Sequence, residues 1–136
     1  MNNLSKYMSY IYSPGARGEE GLIDCWGLVR MVRAEVFGKP LLPEFAQARM
    51  GDSKQIQAAF EKQSSELIQV APCAGAIAAC IRRGVCIHVA ILVSKDHVLE
   101  IKRAGARARL QKLSDWLLDY PAPLWEVEYF SEDDAC

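Results

Sequence analysis

Leu4, Tyr7, Met8 and Ile11 recur at helical spacing, which predicts a short amphipathic helix over residues 3–12 that Ser13-Pro14-Gly15 stops. After the loop SPGARGEEGLI, Cys25, Leu28, Val29, Val32 and Val36 fall on one face of a second helix, ended by Gly38 and Pro40. Residues 39–53 read as a crossing loop. Ser53 suits the N-cap of a third helix that runs to about Gln69 and buries Ile56, Phe60 and Leu67. Beyond Pro72 and Gly75 the apolar pattern shortens to strand-like runs: AIAACI at 76–81, CIHVAILV at 86–93, HVLEIKR at 97–103 and LWEVEYF at 124–130. Helices first and an antiparallel sheet second predict an α+β domain rather than an alternating βαβ one.

A chain of 136 residues suits one domain spanning 1–136, and the acidic end SEDDAC (131–136) is expected to be disordered. With 51% hydrophobic and 24% charged residues the chain is expected to fold, and its formal charge of −1 gives no reason to expect nucleic acid. No run approaches the roughly 18 apolar residues of a membrane helix, so no membrane span is expected. The start MNNLSKYMSYIY lacks the pattern of a signal peptide, so cytoplasmic synthesis is the expectation. Cys25, Cys73, Cys80, Cys86 and Cys136 are an odd number without a C-x-x-C pair, which predicts reduced thiols and neither a metal site nor a cofactor.

Cys25 falls where a glycine-bearing loop becomes a helix, and the helix dipole there favours an anion such as a thiolate. His88 interrupts the apolar run CIHVAILV, where a titratable ring needs a partner. A histidine is also the usual acceptor of a thiol proton near neutral pH. Two candidates for the group that orients its ring follow, His97 and Glu100. If Ser94–Asp96 form a three-residue loop, Val93 pairs with His97 and Ala90 with Glu100, which places Glu100 on the face of His88; a one-residue change in the loop reverses the choice. Lys102, Arg103, Arg107 and Arg109 form a basic stretch suited either to an anionic polymer or to a solvated strand edge. Trp26 and Trp116 are candidate cleft linings, whereas Cys73, Cys80 and Cys86 read as small hydrophobes.

The motif DCWGLV at Asp24–Val29, a tyrosine about a dozen residues before the cysteine (Tyr12), Pro72-x-x-Gly75 before a strand, and HVAILV at His88–Val93 with a polar residue twelve past the histidine together resemble the NlpC family. The phrase DCWGLVRMVRAEVFG looks closest to the family's phage-tail or prophage branch. The resemblance runs from about Tyr7 to Leu110. It implies a papain-like fold and a cysteine peptidase that cleaves the peptidoglycan stem, typically at the γ-D-glutamyl-diamino-acid bond. Carried over by position, Cys25 matches the nucleophile, His88 the base, Glu100 the third polar residue and Tyr12 a tyrosine near the oxyanion; Asp24 and Trp26 flank the nucleophile as candidate substrate contacts. The chain departs from the pattern at Gly75-Ala76, where Gly-Asp is usual, and at Glu100, where His, Asn or Gln is usual. A peptidase made in the cytoplasm implies delivery to the cell wall, with phage-tail or secretion-device proteins as partners. The alternative is a tail-assembly protein that keeps the fold with little or no activity. A thiol acyltransferase on a permuted fold is disfavoured by the Cys-before-His order.

Overall fold

The structure, a computed structural model, describes residues 4–42, 61, 66–102 and 105–132. A single helical turn, α1 (Ser5–Met8), leads to the short strand β1 (Ile11–Tyr12), which pairs in parallel with β2 (Leu22–Ile23). The expected helix over 3–12 therefore shrinks to four residues, because Ile11 and Tyr12 are taken into backbone pairing. Helix α2 (Cys25–Glu35) follows directly. Strands β3 (Ile68–Val70), β4 (Ile77–Arg82), β5 (Val85–Ser94), β6 (His97–Glu100), β7 (Arg109–Lys112) and β8 (Trp125–Ser131) form one antiparallel sheet in the order β3-β8-β4-β5-β6-β7. A turn of helix, α3 (Leu113–Trp116), lies between β7 and β8. The α+β class with an antiparallel sheet is thus present. No described helix is long and apolar enough to cross a membrane.

Alternation along the strands divides the core in two. On one face Ile77, Ala79, Val89, Ile91 and Leu99 pack against Leu28, Val29 and Val32 of α2. These three α2 side chains are fully buried, each worth roughly 1.5–3 kcal/mol. On the other face Ala78, Cys80, Ala90, Leu92 and Val98 pack against Trp116 and Tyr120. His88 stands opposite Cys80 on the second face, in step with Ala90 and Leu92; register then shifts by one at Ile87, and this bulge turns Cys86 to the first face.

Buried Arg33 ties α2 to the sheet, donating from Nε to the Gly75 carbonyl at 2.9 Å and pairing with Glu132. Gly75 holds φ +87°, and a Cβ there would come within 2.6 Å of Lys39 Cε, so the turn before β4 requires glycine.

Several sequence expectations change. The third helix lies mostly outside the described residues, but its expected end is strand: Ile68–Val70 pair with Tyr129–Ser131 of β8. Strands β3 and β7 were not foreseen, being short edge strands without alternation. Ser131 closes β8 and Glu132 pairs with Arg33, so the expected disorder fails at these two positions; residues 133–136 lie outside the described ones. Cys73 is disulfide-bonded rather than reduced.

Candidate active site

Cys25 opens α2, and the residue before it sets its position. Asp24 is the N-cap: its Oδ1 accepts from Gly27 N–H at 2.8 Å and from Arg17 Nη1 at 2.8 Å, and its Oδ2 accepts from Gly15 N–H at 3.0 Å. At 1% exposure and with both oxygens engaged, Asp24 builds the loop-to-helix corner and has no face left for a substrate. Trp26, 4% exposed, packs into the α2 side of the core. Both flanking residues, expected as substrate contacts, are thus buried in this structure. Gly27 was not singled out in the sequence, yet a Cβ there would meet the Ala16 carbonyl at 2.8 Å, so the corner closes only over glycine.

The Cys25 sulfur lies against β5, accepting from the Val89 N–H of that strand and from the Trp26 N–H of its own helix. Burial pushes its thiol far up, the Asp24 charge adds to this, and the two N–H groups only partly offset them. The expected thiolate is therefore not the resting state. Here desolvation outweighs the helix dipole.

His88 and Glu100 are brought together, with Nε2 2.9 Å from Glu100 Oε2 and both side chains 3% exposed. The loop between their strands differs from the expected one: Ser94 pairs with His97 across a two-residue turn, and a shift between Leu92 and Ser94 restores the pairs Leu92↔Val98 and Ile91↔Leu99. Continuing that register sets Glu100 beside Ala90, on the face of His88. His97 instead faces Ser94, with Nδ1 3.1 Å from Oγ.

Two further residues hold the carboxylate, and sequence reasoning missed their role. Trp116 Nε1 donates to Glu100 Oε2 at 2.7 Å, and the Tyr120 hydroxyl donates to the same oxygen at 3.5 Å. The Tyr120 ring also stacks on His88, with centroids 6.4 Å apart at 15°. The foreseeable signal was only that a buried acid and a buried indole both need partners. Burial alone raises the Glu100 carboxyl, but the hydrogen bond and charge of His88, the Trp116 N–H and nearby Lys102 outweigh it, and the carboxyl lies below its usual range.

This fixes the histidine tautomer. An ionised Oε2 can only accept, so His88 Nε2 carries a proton, and in the uncharged form of the ring Nδ1 is the nitrogen with the lone pair. Among the described residues, buried Nδ1 has no hydrogen-bond partner, and neither has the buried Tyr12 hydroxyl. The Tyr12 hydroxyl is pushed up by burial and then by Cys25 and Asp24, so it stays a neutral donor beside the cysteine. The Cys25–Nδ1 hydrogen bond is not formed in this structure: Cys25 packs with α2 on the first face of the sheet, whereas His88 lies on the second face with Cys80 and Tyr120. Burial also pushes Cys86 up to about 12 and Cys80 well above the usual thiol range. Among the described residues no three His, Cys, Asp or Glu side chains are grouped as metal ligands.

Comparisons with family models, with curated proteins and with solved structures found no match to this chain.

Proposed function

We propose that the protein is a cysteine peptidase of NlpC type, with a papain-like arrangement, that cleaves the peptidoglycan stem peptide at the γ-D-glutamyl-diamino-acid bond. One observation carries this reading: His88 is held by Glu100 through Nε2 while its buried Nδ1 is left without a partner among the described residues, on the strand against whose other face the Cys25 sulfur rests. A scaffold gains nothing from that ring, because a buried unsatisfied nitrogen costs about 1–3 kcal/mol.

Because the thiol rests protonated, the reaction uses general-base catalysis rather than a preformed ion pair. In this proposal His88, which rests on the face of β5 opposite to Cys25, must first bring Nδ1 to the sulfur, where it takes the Cys25 proton as the sulfur attacks the stem-peptide carbonyl. The Tyr12 hydroxyl and the Cys25 backbone N–H stabilise the developing oxyanion. The C–N bond breaks as imidazolium gives its proton to the leaving amine. Water then hydrolyses the thioester, releasing the carboxylate and restoring the thiol. Glu100, fixed by Trp116 and Tyr120, orients His88 and stabilises its cation. Delivery to the wall by a phage tail or secretion device belongs to the same proposal.

The burial of Cys25 favours a second reading, an inactive tail-assembly protein. Variants separate the two. Cys25→Ala and His88→Ala should each abolish release of stem-peptide fragments, Glu100→Gln should leave a reduced rate, and His97→Ala should be nearly silent. Damage from His97→Ala with a silent Glu100→Gln would remove Glu100 from the mechanism.

A further inference from the structure

Resting on the peptidase reading, we propose that the cleft bounded by Glu100, Lys102, Arg107 and Arg109 is a carboxylate subsite, through which the protein selects peptides with free rather than amidated carboxylates. The cleft measures about 220 Å³ and is lined by these residues and Ala106. Three cations thus meet one carboxylate, and that carboxylate is turned toward His88, Trp116 and Tyr120. Lys102 pairs loosely with Asp119, at 3.8 Å, and its ammonium lies over the Tyr120 ring, 4.9 Å from the centroid. Among the described residues Arg107 and Arg109 form no ion pair with an acid. Charge in the cleft is therefore left unbalanced in a chain whose formal charge is −1.

Lysine and arginine are common on exposed sheet edges, where they block pairing. Convergence argues for more than that here. Arg109 stands opposite Glu100 in the β6–β7 register, so the two side chains share a face. The other wall, Ala106–Arg107, is clamped to the strand that carries Tyr12: Tyr12 N–H donates to Ala106 O at 2.8 Å, and Ile11 bridges to Arg107. The cleft accordingly runs between the residue that orients His88 and the strand that holds the candidate oxyanion donor. Its volume lies below the roughly 300–1,000 Å³ of whole-ligand sites, which suits one charged group of a longer peptide. Guanidinium groups bind carboxylates in bidentate fashion. No aromatic side chain lines the cleft among the described residues, which disfavours stacked bases of a nucleic acid.

The test is calorimetric titration of Cys25→Ala protein, which cannot turn over, with L-Ala-γ-D-Glu-meso-diaminopimelate and with its carboxyl-amidated counterpart. The free acid should bind about tenfold more tightly than the amide, and Arg107→Gln/Arg109→Gln should erase that difference while leaving binding of the amide unchanged. Both arginines are exposed, and circular dichroism checks that the double variant folds. The subsite is overturned by equal affinity for the two peptides, by discrimination that survives in the double variant, by no binding of the free acid, or by a 12-nucleotide oligo-dT that binds as tightly as the free acid. Wild-type kcat/KM separates the two proposals. Equal cleavage of free and amidated peptide removes the subsite and leaves the peptidase, whereas carboxylate-selective binding without cleavage of any peptidoglycan removes the peptidase and leaves the subsite.

Discussion

At Cys25 two effects compete, the pull of a helix N-terminus on an anion and the cost of burying one, and burial wins because the sulfur is 1% exposed. A dipole argument from sequence sees only the first, since exposure is a property of packing. The consequence is measurable. Because the folded pKa lies above the ordinary thiol value of 9.0, iodoacetamide labelling of Cys25 in the resting protein should still be rising with pH at pH 9; a plateau below pH 7 would reveal a preformed thiolate–imidazolium pair and refute the general-base route. Trp116 carries the second residue-scale prediction. Trp116→Phe removes the 2.7 Å donor from a buried carboxylate, which should cost about 1–3 kcal/mol of stability and lower turnover by about tenfold as His88 loosens. Unchanged turnover at unchanged KM would make the indole a packing residue only.

Helix α2 and the β5–β6 hairpin place the candidate catalytic groups, and the sequence was informative about both in different ways. The apolar face Cys25, Leu28, Val29, Val32 predicted α2 to within a residue at its start, because one 3.6-residue period was sustained for three turns. The hairpin was right for a partly wrong reason. The turn is one residue shorter than expected, and the irregularity at Val93 returns Glu100 to the face of His88, a compensation that no local pattern announces. The capping role of Asp24 escaped notice for a related reason: adjacency to Cys25 in sequence directed attention to substrate contact, whereas its side chain turns back to cap the helix and pair with Arg17. Asp24→Ala should therefore act through folding. It removes the carboxylate that Arg17 pairs with and the helix cap, so a loss of roughly 1–3 kcal/mol in denaturant unfolding is expected. A loss under 1 kcal/mol together with a raised KM would restore the substrate role.

The whole chain read as helices before strands, and that much holds among the described residues; the edge strands β3 and β7 escaped notice because their pairing partners are distant in sequence. Stability against pH follows from the shifted carboxyls and the buried thiols taken together. Glu100, Glu35 and Glu132 have lowered folded pKa values, so their contribution is fully present above the ordinary carboxyl value of 4.5 and is lost as pH falls through the lowered values. Glu128, raised by burial and by Glu126, acts in the opposite sense. The buried thiols have raised values, so what they contribute is present below 9.0 and fades as pH rises above it. Thermal melts should accordingly decline below pH 4.5 and above pH 9, with a shallower acid limb in Glu100→Gln; an equally steep limb would mean that Glu100 is not ionised in the fold. The most direct test of the peptidase itself is digestion of purified peptidoglycan, with the fragments identified by mass. Wild-type protein should release stem-peptide fragments cut at the γ-D-glutamyl bond and Cys25→Ala should release none. Equal release by both proteins, or none by wild type from any peptidoglycan type, would contradict catalysis by Cys25 and leave the structural tail protein as the better account.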